Sequence, residues 1–221
     1  MRWSDLVLFL GVFAVGYALK TKTNPSPAPD EERQLPGVGK PPEPLAIGED
    51  TGAVGGLLDE FQAFLESEGV AQFTSAREFL RLPSLSGTKY AVPPKSLWAN
   101  AIPTLQMFQA IRRKAGVPIP LRGYRPPAYN ETVAGADRSM HQWLAAVDMR
   151  PQSNVEDIAL LAALEVIARP DDTPGLGVYG DPPRSLHLDT GYRARSWDQG
   201  GAWLRRAQQH LLGLNGTGQG D

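Results

Sequence analysis

LRGYRPPAYNETVAGADRSMHQWLAAVD, residues 121–148, ends in an apolar run, Leu144 to Val147, that reads as a buried strand and terminates in a carboxylate, Asp148. An unpaired carboxylate at the end of such a strand is costly, and a metal ion would resolve that cost. His141 stands seven residues before Asp148, and a later SLHLD places His187 two residues before Asp189. Two neutral imidazoles and one carboxylate form the donor set of a catalytic zinc site, with a fourth position left open for water. Water held there ionises near pH 7, about nine units below bulk water. The chain has 3 histidines in all. The remaining one, His210, follows Gln208 and Gln209 and reads as an exposed polar residue.

Outward from this stretch, the patterns of helix and strand alternate. Residues 55–68 place Leu57, Leu58, Phe61 and Phe64 on one helical face. Residues 75–82 read as a second short helix stopped before Pro83. Ser96 stands as N-cap of a helix carrying Leu97, Ala101, Leu105, Phe108 and Ile111, which Pro103 kinks or restarts and Gly116 ends. Ser153 and Glu156 have capping-box spacing for a helix ending near Pro170. Strands at 177–179 and 185–189 form a hairpin through Gly180-Asp181-Pro182-Pro183. A closing helix is expected at 202–212, capped by Gly213. Helices preceding a small antiparallel sheet predict an α+β domain.

The motif residues recur in a known order: Gly123, Tyr124, Arg125, Tyr129, Asn130, Ser139, His141, Ala146, Asp148, His187 and Asp189. In this the chain resembles, over residues 73–197, the zinc D-alanyl-D-alanine carboxypeptidases and related peptidoglycan endopeptidases of the hedgehog/DD-peptidase fold. The resemblance implies Zn²⁺ held by His141, Asp148 and His187. It implies Arg125 at the substrate carbonyl or carboxylate, where a guanidinium stabilises an oxyanion without competing for the metal. It also implies substrate contacts from Tyr124 and Ser139. Residues 73–80, FTSAREFL, resemble the opening helix of one branch.

The chain also departs from that pattern. Arg184 stands where many relatives carry the acid that serves as general base, and Leu144 replaces a glycine three residues after the first ligand. Asp189 is the first candidate for the base and Asp181 the second. On a strand Asp189 faces the same side as His187, so it either takes a proton from water or orients the imidazole. Trp143 and Trp203 are expected as core or rim aromatics, and Trp197 as structural. The expected reaction is hydrolysis of peptide bonds at D-amino acids in peptidoglycan stem peptides, as carboxypeptidase or endopeptidase. The alternative, motivated by Arg184, is a non-catalytic metal-containing peptidoglycan-binding or structural module of the cell envelope or a phage.

Composition narrows the partners. The 221 residues carry a net charge of −2 and no cysteine, which excludes disulfides and thiolate metal sites. Lysine and arginine are scattered, so no nucleic-acid partner is expected. Residues 6–19, LVLFLGVFAVGYAL, form an apolar run between Arg2 and Lys20. At roughly 21 Å as a helix it falls short of the ~30 Å hydrocarbon core. It reads as an uncleaved signal anchor, a cleaved signal peptide or a buried core helix; the long polar stretch that follows disfavours the core helix, and the weak cleavage match at Gly16-Tyr17-Ala18 favours the anchor over a cleaved signal. The expected organisation is therefore an anchor or signal at 1–20, a disordered Pro-rich linker at 21–52, a zinc peptidase-like domain at 53–213 and a flexible tail at 214–221. Such a chain would lie outside the cytoplasm, in the periplasm or envelope, tethered to the inner membrane by residues 6–19.

Overall fold

Alternation within single strands decides which side of the structure becomes core and which becomes site. In the computed structural model, which describes residues 39–82, 87–169, 172–191, 195–199, 203 and 206, the elements run in chain order as follows. They are β1 (Ala46–Gly48), α1 (Gly52–Ser67), α2 (Ala76–Phe79), β2 (Arg81–Leu82), β3 (Lys89–Val92), a 3₁₀ turn (Lys95–Asn100) and α3 (Ala101–Ala115). Then come β4 (Leu121–Arg122), α4 (Pro127–Thr132), a second 3₁₀ turn (Met140–Trp143), β5 (Ala146–Met149), α5 (Val155–Ile167), β6 (Pro174–Tyr179), β7 (Ser185–Thr190) and β8 (Arg195–Gln199). The fold is mixed α+β, with a three-stranded sheet ordered β1-β3-β2 and a five-stranded sheet ordered β4-β5-β7-β6-β8. Every pairing is antiparallel except β6 with β8, which is parallel.

In β7, Leu186 and Leu188 alternate with His187 and Asp189, and successive side chains take opposite faces of a strand. Val147 and Met149 of β5 and Leu176 and Val178 of β6 join the leucines in the core. Helices α3 and α5 pack together and against this sheet. Between them Glu165 is buried, its two carboxylate oxygens accepting from Lys114 Nζ at 3.0 Å and Arg169 Nε at 2.8 Å. A buried carboxylate is tolerated only when it is paired in this way. Around α1, the Phe61 ring stacks on Phe79 at 6.2 Å and meets Trp98 edge-on at 5.2 Å.

Several elements differ from their sequence-based prediction. The helix predicted over 75–82 is only the four residues of α2, because Arg81 and Leu82 leave it to pair with Tyr90 and Lys89 of β3. Ser96 lies inside the 3₁₀ turn, and α3 restarts at Ala101. Pro103 falls in the first turn of α3, where its missing N–H costs no helical bond. Gly116 ends α3 in the left-handed region at φ 66, as predicted. The capping box does not form: Asn154, at φ 52, is the N-cap of α5 and makes no side-chain cap bond. The linker predicted to reach residue 52 stops earlier, since β1 pairs with β3 and Leu45 N–H donates to Val92 O at 2.8 Å. The predicted hairpin is present and longer, closing from Tyr179 opposite Ser185. The apolar run 6–19 and the tail 214–221 lie outside the described residues, as does the helix predicted over 202–212 apart from Trp203 and Arg206.

Candidate metal centre

His141, Asp148 and His187 meet at one point. His141 Nε2 lies 3.1 Å from Asp148 Oδ1, His187 Nδ1 lies 3.0 Å from the same oxygen, and the two ring nitrogens are 3.2 Å apart. Three atoms each ~2.0–2.1 Å from a tetrahedral ion would be separated by about 3.3 Å, so the donor set fits a small divalent cation. These three residues form a group able to hold a metal.

Each ligand is aimed by its neighbours. His141 begins beyond Ser139, in the second 3₁₀ turn, and its backbone is gripped on several sides. Arg125 N–H donates to His141 O at 3.1 Å, Asn100 Nδ2 donates to Trp143 O at 3.1 Å, and Thr104 Oγ1 donates to Ala145 O at 2.9 Å. The turn leaves through Leu144, a buried residue held in the left-handed region at φ 59. That conformation costs an L-residue roughly 1–2 kcal/mol. It explains why glycine suits this position and why Leu144 needs its burial to offset the strain.

The imidazole tautomers follow from the remaining bonds. His141 Nδ1–H donates to Gly123 O at 2.6 Å, which leaves Nε2 free of a proton on the side of Asp148. His187 Nε2–H donates to Asp189 Oδ2 at 2.8 Å, which leaves Nδ1 as the donor atom. Metal-binding histidines are usually fixed in this way by a carbonyl or a carboxylate. Asp148 divides its two oxygens: Oδ1 faces both histidines, and Oδ2 accepts from Arg125. Burial alone would raise the Asp148 carboxyl, but the charges and hydrogen bonds of His141 and His187 hold it well below the usual carboxylate range. Burial lowers the pKa of His141. With no ion between them, burial lowers the pKa of His187 but hydrogen bonds from its protonated ring to Asp148 and Asp189 outweigh it, and the pKa is raised.

The sheet register builds the floor of the site. Asp148 is paired with His187, His187 with Gly177, and Gly177 with Trp197. Directly paired residues share one face, so a single row crosses four strands. Glycine on β6 is what makes room for it. A Cβ at Gly177 would lie 2.5 Å from the Trp197 ring, and one at Gly175 would lie 2.6 Å from Asp189 Oδ1. The Trp197 ring sits 5.3 Å from that of His187 and is partly exposed, so it borders the site as well as packing beside it. Its indole N–H donates to the Tyr179 hydroxyl, and burial first, then the charge of Asp148, raises the pKa of that hydroxyl. Neither Tyr179 nor the Trp197 border was singled out from the sequence. The G-x-G-x-Y alternation on a predicted strand is the signal that points to both.

Other expected residues are placed less directly. Asp189 is fully buried and sits on the edge of His187 remote from the donor nitrogen. Asp181, on the hairpin turn, is ion-paired with Arg206 at 2.6 Å. Tyr124 is 1 % exposed, and burial holds its hydroxyl above the ordinary tyrosine range. Ser139 opens the 3₁₀ turn of His141 without a side-chain cap bond, and its carbonyl accepts from Gln142 N–H at 3.1 Å. Arg184 is exposed beside Gly180 at the hairpin end.

No curated protein matches the chain. The family model for Peptidase M15 matches residues 79–189, half of the chain, from the last residue of α2 to Asp189. That span contains His141, Asp148 and His187 together with the strands that bring them to one face. The chain belongs to the Peptidase M15 family, a family of metallopeptidases.

Proposed function

We propose that this chain is a zinc peptidase that hydrolyses peptide bonds at D-amino acids in peptidoglycan stem peptides. The observation that carries the reading is the pair of aimed imidazoles. One is held by a backbone carbonyl and the other by a buried carboxylate, and each turns its other nitrogen to the same oxygen of Asp148. A protein that needed these histidines only for packing would have no reason to fix both tautomers toward one point. Zinc suits the donor set, although histidine and carboxylate ligands accept several divalent ions in vitro. When bound, such a cation supplies Lewis acidity, polarising a carbonyl and acidifying water near neutral pH.

The chain's own residues supply the rest. Arg125, 23 % exposed at its side chain, steadies the outer oxygen of Asp148 and offers its remaining N–H donors to the carbonyl oxygen where charge develops. Ser139 opens the histidine turn. Trp197, bonded to Tyr179, borders His187. The same reading places the enzyme outside the cytoplasm, with residues 6–19 as its anchor. No helix among the described residues is long and apolar enough to cross a membrane.

In this reading Asp189 orients His187 and is not the base. Asp189→Asn is expected to lower metal affinity by about 10–100-fold. Titration against metal-buffered solutions measures it. If the variant binds metal as tightly as the parent and loses only kcat, Asp189 takes the proton itself and the assignment is wrong.

The test of the function is digestion of purified peptidoglycan by the full chain loaded with zinc. Released amines and D-alanine are read against metal content on the same sample. One metal per chain with chelator-sensitive product release supports the peptidase. Metal with no product supports a non-catalytic wall-binding module instead.

A further inference from the structure

The row of paired residues that crosses the metal centre continues one strand further. Arg122 of β4 is paired with Asp148, so its side chain stands on the face that carries Asp148 and His187, at the sheet edge. Arg150 lies two residues beyond Asp148 and therefore takes the same face, diagonal to Arg122. Its backbone N–H donates to Pro120 O at 3.0 Å, which continues the β4–β5 ladder past Leu121 and fixes that diagonal. Arg125 is bonded to the same Asp148.

Arg77, Arg125, Arg169 and Arg206 each hold a carboxylate. Among the described residues no carboxylate lies within ion-pair distance of Arg122 or Arg150. Arg122 is half-buried. Arg150 is exposed. Cations drawn together without a counter-ion, at the rim of a site, are arranged for an anion that arrives with the substrate.

Building on the peptidase reading above, we propose that Arg122 and Arg150 form a carboxylate-binding subsite on the β4 side of the metal centre, so that the cleaved peptide carries a free carboxylate close to the scissile bond. Cross-strand neighbours stand about 5 Å apart and an extended peptide advances about 3.3 Å per residue. The carboxylate therefore lies within about two residues of the cleaved amide. Two sources have this chemistry: the C-terminal carboxylate of a chain cut by a carboxypeptidase, and a carboxylate carried within a chain cut internally. Bidentate acceptance from a guanidinium suits either one and rejects the corresponding amide.

Three synthetic stem pentapeptides separate these cases: the free acid, its C-terminal amide, and the form amidated at the D-glutamate carboxylate. With the zinc-loaded full chain, one of the two amides is expected to lose about tenfold or more in kcat/KM, and which one identifies the source. Arg122→Gln and Arg150→Gln should each lower kcat/KM for the free acid by a larger factor than for that amide, bringing the two together. Arg122→Lys, which keeps the charge, should retain part of the discrimination. Equal loss on acid and amide, or no loss on either, overturns the subsite. If none of the peptides is cut, the peptidase reading falls, and calorimetric binding of the same peptides then decides the subsite. Equal affinities for acid and amides, or none for any, overturn it there as well.

Discussion

His187→Ala in the full chain is expected to abolish metal retention and product release together. His187 supplies one of three donor atoms, and its Nδ1 is 3.0 Å from Asp148 Oδ1 and 3.2 Å from His141 Nε2. Disturbing a partner behind a ligand costs about 10–100-fold in affinity or activity, so deleting the ligand itself should exceed the upper end of that range. Turnover should fall to the level of chelated protein. The substitution has a second consequence, because Asp189 is fully buried and loses the imidazole that its Oδ2 binds at 2.8 Å. Removing one partner of a buried charge is strongly destabilising, and the single variant could therefore fail by unfolding. His187→Ala combined with Asp189→Asn removes that charge and isolates the ligand effect. A folded double variant that still retains one zinc through dialysis would show that His187 is not a ligand.

The parts of this site legible in the sequence are those whose chemistry is carried by residue type. Two histidines, an aspartate at the end of an apolar run, and an aspartate two residues after the second histidine are enough to predict a metal and an orienting carboxylate. The partners that close the arrangement come from the backbone or from register. The acceptor for His141 is the carbonyl of Gly123, and a carbonyl belongs to every residue. Trp197 reaches His187 only because β8 runs parallel to β6 and Gly177 leaves its space open. The sequence-based expectation of a hairpin alone contains no such strand. Arg122 likewise acquires meaning only once β4 is known to pair with β5 opposite Asp148.

The local signals that failed did so for a common reason. A strand or turn elsewhere claimed the residues. Propensity favoured helix through Leu82, but a ladder with β3 uses Arg81 and Leu82. Ser153 and Glu156 have the right spacing for a capping box, yet Asn154 tolerates the left-handed region and takes the cap position itself. At Leu144 the outcome is reversed. The family resemblance implies a glycine there, and the structure shows the positive φ that makes a glycine desirable.

Gly123→Ala is expected to be the most damaging single-methyl change in the molecule. A Cβ there would overlap the edge of the Phe79 ring, and that ring cannot easily withdraw. Phe79 is fully buried and stacked on Phe61, and its carbonyl accepts both Gly123 N–H at 3.0 Å and Tyr124 N–H at 3.2 Å. The two backbones are thus tied at the very point where the methyl would push them apart. Overpacking of a rigid core usually costs about 1–3 kcal/mol, and the value here should lie at the upper end. For a chain of this size that corresponds to a fall of about 6–12 °C in Tm, read with chelator present so that metal linkage does not contribute. The same displacement moves Gly123 O, which accepts from His141 Nδ1 at 2.6 Å, so metal affinity should drop in the fraction that remains folded. Phe79→Leu supplies the control, because a smaller side chain opens the space the methyl needs. Added to Gly123→Ala, it should cost less than the sum of the two single changes, since the residues are in contact. Additive losses would mean that the glycine is required for its backbone conformation and not for the approach of the Phe79 ring. An unchanged Tm in the single variant would mean that the wall behind His141 is softer than this packing implies.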